Sequence, residues 1–321
     1  MHTSDEAPER ASAFTEVPAD KSAGRLGTWN LELGTSAPSL AVVSASMDVV
    51  APAKLNLSLR VLGRREDGFH DLDSVMMILP GLHDRLSFRC SDQDAFSCNA
   101  EGVPADESNL VIKALKVFRR ETRMSVPLSI HLEKRIPHGA GLGGGSSDAA
   151  ASLRALDRIH ATGLSDGRLS EMAAEVGSDV PFFLGPPVAR IGGRGERVEV
   201  GPELPTMALL LLKPGFGVST PDAFGRWKDS KELPGVSHAP QRFAWGELVN
   251  DLERPVFEKH LFLAEMKQWL LGQAGVSGAL MSGSGSTMFA LLDDLNRAEV
   301  LAAEAREALD PGLWSWWGSV G

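Results

Sequence analysis

The chain has 321 residues, of which 43% are hydrophobic and 23% charged, and its net charge at pH 7 is −10. This composition is typical of a globular protein with two domains or one large one, and the acidic balance argues against a nucleic-acid partner. Two cysteines are too few for a disulfide framework, and we find no apolar run long enough for a membrane helix and no signal peptide, so we expect a cytoplasmic protein.

Residues 1–46 differ in composition from the rest of the chain. They are rich in Ser, Ala, Pro and acidic residues and show little hydrophobic periodicity, so we predict a mostly disordered extension. The acidic residues argue against a transit peptide, which would be rich in Arg and poor in acids. The alternative, that Met47 is the true start of the protein, stays open.

The compact part begins with a predicted strand. Apolar residues at every second position of Leu55–Val61 alternate with polar ones, which places Lys54 and Asn56 on one polar face. That face is either solvated or part of a site.

Two turns are predicted next. Asp67 and Gly68 form a turn signal before a second strand, which starts at Phe69 and His70. A further turn is expected at Asp84, before another short strand.

The most informative stretch is Pro137–Asp148, which reads PHGAGLGGGSSD. A helix is predicted over 107–121, an alternating strand over 128–133 precedes the stretch, and a helical pattern over 149–163 follows it, so the glycines lie in a strand-to-helix turn. Backbone N–H groups at the start of a helix make an anion site, most naturally for phosphates. The simpler alternative is a flexible Gly/Ser turn.

Gly139, Gly141 and Gly144 also match G-x-G-x-x-G, the fingerprint of dinucleotide-binding domains. The preceding strand alternates instead of being continuously apolar, and the region about 20 residues further on is a helix end rather than a second strand. No Walker A pattern occurs in the chain. These departures disfavour a nicotinamide-dependent dehydrogenase.

The next predicted helix begins near Asp166 and ends at Gly177. Asp179 follows in a turn, and Pro181 prevents a return to helix. An Asp in such a turn usually bonds to the local backbone, so this position alone indicates no function. Residues 188–200 predict a hairpin with a glycine turn.

A second unit begins near residue 201 and mixes strands and helices in an α+β order. Thr220 is expected to cap its first helix, and Pro255 to break the helical segment 250–273 into two pieces. The other predicted elements are a buried strand at 207–215, a Gly/Ser turn at 282–286, a helix at 294–310 and a closing strand at 314–320.

Three segments resemble the GHMP kinase superfamily: APAKLNLSLRV at 51–61, PHGAGLGGGSSDAA at 137–150 and MSGSGSTMFAL at 281–291. Within that superfamily, three more look like the 4-diphosphocytidyl-2-C-methyl-D-erythritol kinases: GRREDGFHDLDSVM at 63–76, GSDVPFF at 177–183 and NDLE at 250–253. The resemblance runs from Met47 to the end of the chain.

This resemblance implies an α+β, two-domain GHMP kinase fold with the active site between the domains. The N-terminal ATP-binding domain, at 47–200, would be similar to domain 2 of ribosomal protein S5, and the C-terminal domain, at 201–321, would be ferredoxin-like. The implied reaction transfers the γ-phosphate of ATP, with Mg²⁺, to the 2-hydroxyl of a cytidylylated methylerythritol in the non-mevalonate isoprenoid pathway. The protein would be a monomer or a homodimer.

The resemblance also implies roles for individual residues. Asp179 would be the general base and Lys54 its partner cation, while His70 would bond to the cytosine edge. The implied ATP-binding residues are Pro137, Gly139, Gly141, Leu142, Gly143, Gly144, Gly145, Ser146 and Ser147, of which Ser147 could instead reach Mg²⁺. The implied substrate-binding residues are Asn56, Phe69, His70, Phe224 and Gly283. Phe69 stands where the family often has tyrosine, and this chain contains no tyrosine.

Three alternatives stay open. Another GHMP kinase, such as a homoserine or mevalonate kinase, would differ in its substrate segments. A dehydrogenase conflicts with the strand pattern before the glycines. A binding or regulatory protein that kept only the fold would not need Lys54, Asp179 and an intact glycine loop.

Overall fold

Two β-sheets and seven α-helices make up the part of the chain that the computed structural model describes, residues 46–321. The predicted extension, residues 1–46, lies outside the described residues except for its last one. The strands are β1 Ser46–Arg64, β2 His70–Cys90, β3 Ala95–Cys98, β4 Leu128–Glu133, β5 Val188–Gly193, β6 Arg197–Val200, β7 Met207–Lys213, β8 Gln241–Phe243, β9 Gly246–Asn250, β10 Val276–Met281, β11 Met288–Leu292 and β12 Trp314–Val320. The helices are α1 Leu110–Thr122, α2 Gly144–His160, α3 Asp166–Val176, α4 Thr220–Arg226, α5 Glu253–Lys259, α6 Leu261–Leu271 and α7 Ala298–Ala308. None of the helices within 46–321 has the length and apolar character needed to cross a membrane.

The first sheet has eight strands and is organised around the long antiparallel pair β1 and β2. Its strand order is β3-β4-β2-β1-β9-β8, and the hairpin β5-β6 pairs with β2. The predicted turn between β1 and β2 is confirmed, with Gly68 at φ 87°. Strand β9 follows residue 201 in the sequence, yet it pairs in parallel with β1. The two halves of the chain therefore share this sheet.

The prediction of a turn at Asp84 is wrong, because β2 continues from His70 to Cys90 without interruption. Pro52 of β1 pairs with His83, and the next residue, Ala53, pairs with Leu79. The residues between these partners form a bulge, so the chain changes register here without leaving the strand. Asp84 is fully buried inside the strand.

Two helix boundaries also differ from the prediction. The cap of α4 is Ser219, whose side chain accepts a backbone N–H, and Thr220 is the first helical residue. The break within 250–273 lies at His260, between α5 and α6. Pro255 belongs to the first turn of α5, where a missing N–H costs no helical hydrogen bond.

The second sheet, with strand order β10-β11-β7-β12, packs against the first. Leu55 and Leu57 of β1 share an apolar cluster with Leu209 and Leu211 of β7 and with Phe289 of β11. The predicted apolar face of β1 is therefore the face turned to the second sheet. Helices α1, α2 and α3 cover the first sheet, and α5, α6 and α7 pack with the second.

Candidate active site

All the predicted site residues except Ser147 line one cavity of approximately 1120 Å³. The cavity is bounded by β1, the start of β2, the glycine loop 137–145, the turn after α3, helix α4 and the turn 283–285. Ser146 is the loop serine that faces it. Ser147 is buried instead, and its hydroxyl has no hydrogen-bond partner among the described residues.

The glycine loop needs glycine at specific positions. Gly139, Gly141 and Gly143 have φ values of 62°, 74° and 70°, a region that other residues enter at a cost. At Gly141 there is also no space, because an added Cβ would overlap the carbonyl oxygen of Ser282 and lie 3.0 Å from that of Gly285. Helix α2 begins at Gly144, so the last glycines of the loop form the N-terminus of the helix, and they line the cavity.

Two hydrogen bonds join the glycine loop to neighbouring elements. The N–H of Lys54 donates to the carbonyl of Leu142 at 2.9 Å. The hydroxyl of Ser282 donates to the carbonyl of Gly141 at 3.0 Å. The loop is thereby held between β1 and the turn that follows β10.

A buried cation lies directly against the loop. The side chain of Lys54 is 4% exposed, and its Nζ is 3.9 Å from Oδ2 of Asp179, which is 38% exposed. Nζ also donates to Oδ1 of Asn56, whose Nδ2 donates to Ser74 Oγ at 3.0 Å. Burial lowers the pKa of the Lys54 ammonium, and Asp179 partly opposes this shift. Asn56, predicted to bind the substrate, lines the cavity and also orients Lys54.

The opposite end of the cavity is aromatic. His70 stacks on Phe224 with ring centroids 5.3 Å apart, and Trp227 meets His70 edge-on at 6.0 Å. Phe69 lies under the guanidinium of Arg194, at 4.9 Å from the ring centroid. Burial lowers the pKa of His70, with Arg64 adding to the effect, and both causes favour the neutral ring. The sequence reasoning had not singled out Trp227 or Arg194.

A buried charge cluster below the loop was also missed. Lys134 donates to Oδ2 of Asp84 and, at 2.9 Å, to Oδ2 of Asp148, and all three side chains are at most 7% exposed. The second oxygen of Asp148 has no hydrogen-bond partner among the described residues. Burial raises the pKa of Asp148 to about 7, although Lys134 opposes the shift, and the two acids together raise the pKa of Lys134 above its ordinary value despite burial.

This shift predicts a pH dependence of stability. Between about pH 4 and pH 7 the folded state keeps a proton on Asp148 that the unfolded state releases. The contribution of Asp148 to the free energy of unfolding therefore falls as the pH rises through that window. We expect the free energy of unfolding of wild type minus that of Asp148→Asn to decrease from pH 5 to pH 7.5. Urea unfolding of both proteins at the two pH values measures this difference. A constant difference would contradict the assignment.

The NDLE segment supports the turn after β10 and lies mostly outside the cavity. Asn250 Nδ2 donates to the carbonyls of Met281 and Gly283, at 2.7 Å each. The carboxylate of Glu253 accepts the N–H of Met281 at 3.0 Å and pairs with buried Lys267. Only Leu252 of this segment lines the cavity. The side chains of this segment therefore position the turn at Gly283 by bonding to backbone groups of Met281 and Gly283.

The family models agree with this architecture. The model described as GHMP kinases N terminal domain matches residues 109–185, and the one described as GHMP kinases C terminal matches residues 239–310. The predicted two-domain GHMP kinase fold is thus confirmed.

Individual relatives narrow the match. The chain is 40% identical over 268 residues to the 4-diphosphocytidyl-2-C-methyl-D-erythritol kinase of Methylacidiphilum infernorum. The aligned region covers 82% of this chain and 93% of that protein. A crystal structure of 4-(cytidine 5'-diphospho)-2C-methyl-D-erythritol kinase is 34% identical, with a TM-score of 0.68 over 86% of this chain and 99% of that one. A homoserine kinase structure from Cytophaga hutchinsonii, 18% identical with a TM-score of 0.61 over 90% of this chain and 97% of that one, shares the fold alone. The chain therefore belongs to the GHMP kinases and, among them, to the 4-diphosphocytidyl-2-C-methyl-D-erythritol kinase family.

Proposed function

We propose that this protein transfers the γ-phosphate of ATP to the 2-hydroxyl of 4-diphosphocytidyl-2-C-methyl-D-erythritol, a step of the non-mevalonate isoprenoid pathway. The observation that carries the proposal is the Lys54–Asp179 pair, which shares one cavity with a phosphate-type glycine loop and an aromatic end. The curated relatives bear the name of this kinase.

The chemistry assigns complementary roles to the pair. The hydroxyl oxygen attacks the γ-phosphorus, the bond from that phosphorus to the β-γ bridging oxygen breaks, and ADP leaves. Asp179 takes the hydroxyl proton as the new bond forms. Lys54, buried and held by Asn56, stabilises negative charge on the transferring group.

The glycine loop is the proposed phosphate site. Its glycines, the start of α2 and Ser146 line the cavity, and glycines place no side chain between the backbone and a phosphate. An added Cβ on Gly145 would lie 3.7 Å from Leu110 Cδ1, whereas Gly143 abuts Lys54. The loop therefore runs from the reacting pair toward the apolar lining near Leu110, where we place the purine of ATP.

The residues present fit a Mg²⁺ ion that arrives with the nucleotide. No group of three His, Cys, Asp or Glu suited to a metal occurs within 46–321. Mg²⁺ bound through substrate phosphates, waters and one or two protein oxygens needs no such group. Ser146 offers such an oxygen in the cavity, so Ser146 replaces Ser147 as our proposed serine ligand. Bound there, the ion would neutralise charge on the β- and γ-phosphates.

We also retain the proposed division into domains at 47–200 and 201–321. The separate core clusters on the outer faces of the two sheets support it. The pairing of β9 with β1 means that the second domain contributes a strand to the first sheet.

The deciding experiment measures ADP release on addition of 4-diphosphocytidyl-2-C-methyl-D-erythritol, with homoserine and mevalonate in parallel. We expect turnover with the cytidylylated acceptor only. Turnover with another alcohol would keep the loop and the Lys54–Asp179 pair but discard the proposed roles of Phe69, His70 and Phe224. Folded protein that binds ATP but turns over none of the three would contradict the proposed function.

A further inference from the structure

Three cations, Arg64, Arg194 and Lys228, line the aromatic end of the cavity, where Asp229 is the acid present. None of the three forms an ion pair within residues 46–321, although Asp67 lies within electrostatic reach of Arg194. The other lysines of the cavity lining, Lys54 and Lys134, are both paired. Because the whole chain carries a net charge of −10, this local positive excess is not a general property of the surface. It suits an anionic part of a ligand.

Only one of the three cations is held in place. Arg64 and Lys228 are exposed, whereas Arg194 is half-buried. The guanidinium of Arg194 lies over the ring of Phe69, 4.9 Å from its centroid. Stacking of this kind uses the flat face of the guanidinium and leaves the N–H groups at its edge free to donate.

The backbone around Arg194 is equally constrained. The residue lies in the turn between β5 and β6, and the flanking Gly193 and Gly195 have φ values of 64° and 125°. An added Cβ on Gly195 would lie 2.8 Å from the carbonyl oxygen of Ser178. The turn thus packs against the residue that precedes Asp179. Arg194 therefore lies between the aromatic end of the cavity and the proposed base.

The proposed acceptor carries negative charge in the region between the aromatic end of the cavity and Asp179. Its diphosphate joins the cytidine, assigned to the aromatic end, to the sugar alcohol, whose hydroxyl must reach Asp179. A guanidinium is always charged and binds two phosphate oxygens at once. Phe69 has no hydroxyl and offers only the face of its ring, so the hydrogen-bond donors at this point come from the guanidinium above it.

We propose that Arg194, stacked on Phe69, binds the diphosphate of the acceptor and selects a nucleotidyl alcohol over a free alcohol. The proposal rests on the proposed function and deepens it. It adds a specificity-determining residue that recognises the nucleoside diphosphate part of the substrate.

The test compares wild type with Arg194→Gln, Arg194→Lys and the control Arg197→Gln. Arg197 is an exposed residue of the same hairpin and does not line the cavity. Steady-state kinetics give kcat and KM for acceptor and ATP, and calorimetry gives the affinities for CDP and cytidine. For Arg194→Gln we expect the acceptor KM and the Kd for CDP to rise about ten- to a hundredfold, the effect of losing a charged hydrogen-bond partner. The KM for ATP and the Kd for cytidine should stay near wild type.

Two further readouts separate charge from structure. Arg194→Lys should recover part of the lost CDP affinity, because it keeps the charge without the planar fork. Added salt should weaken CDP binding to wild type more than to Arg194→Gln, because the contact is partly exposed. The control Arg197→Gln should match wild type in all measurements.

Several outcomes would overturn the proposal. If the ratio of CDP affinity to cytidine affinity is the same in Arg194→Gln as in wild type, Arg194 does not bind the diphosphate. If only the KM for ATP rises, Arg194 contacts ATP and not the acceptor. If wild type turns over the acceptor while Arg194→Gln matches it, only the role of Arg194 fails. If wild type neither turns over the acceptor nor prefers CDP to cytidine, the proposed function fails as well.

Discussion

Asp179→Asn is expected to lower kcat by at least about a hundredfold, the range in which a general base contributes to catalysis, while ATP affinity stays near wild type. The amide is nearly isosteric with the carboxylate but cannot take the proton of the attacking hydroxyl. Asp179 is more than a third exposed, so the substitution leaves no large hole. Its effect should therefore fall on the transition state rather than on folding or binding.

The substitution has a second consequence through Lys54. Burial lowers the pKa of this ammonium, and Asp179 is the group that opposes the shift. With asparagine at position 179, a larger fraction of Lys54 is neutral at a given pH. The residual activity of the variant should therefore rise as the pH falls, because a larger fraction of Lys54 then carries its proton.

Single-turnover kinetics across pH, with nucleotide binding measured separately, check both effects. Asp166→Asn is the matched control, because Asp166 is an exposed carboxylate in the first turn of α3 and lies outside the cavity. The control should behave as wild type. A kcat near wild type in Asp179→Asn would rule this residue out as the base, and a large loss of ATP affinity would place its main role in binding.

The parts of the fold that depend on local patterns were predictable from the sequence. The alternation of β1, the continuous apolar run of β7 and the glycine signal before α2 are all present in the structure. Each depends on neighbours a few residues apart, which is the range over which periodicity and turn chemistry act. The gathering of the predicted site residues in one cavity came from matching whole segments to a family, not from their spacing.

Tertiary contacts decided the features that the sequence reasoning missed. Asp84 is buried because it accepts from Lys134, 50 residues later in the chain, and a local turn signal carries no information about that partner. Arg194 lies over Phe69 only because β5 pairs with β2. The role of Asn250 depends on carbonyl groups more than 30 residues away. These residues are recognisable only when the sheets are assembled.

Gly141→Ala is expected to abolish most activity and to lower stability. The methyl group would force αL backbone on an alanine, at about 1–2 kcal/mol, and would overlap the carbonyl oxygen of Ser282. That carbonyl belongs to a turn held by Asn250, so neither backbone can move without breaking buried hydrogen bonds. We expect the loop and the turn to separate, with a loss of at least about tenfold in ATP affinity from displaced phosphate donors.

Gly167→Ala provides the control, because Gly167 lies in the first turn of α3 and outside the cavity. Its added Cβ would make only an ordinary 3.9 Å contact with Ser165 Oγ. Alanine is the better helix former, so this variant should keep or gain stability and retain ATP binding. Thermal unfolding and ATP titration of both variants give the comparison. Equal behaviour of the two would mean that the close approach of Gly141 to Ser282 is not what shapes the phosphate site, whereas a loss confined to Gly141→Ala ties ATP binding to that single backbone contact.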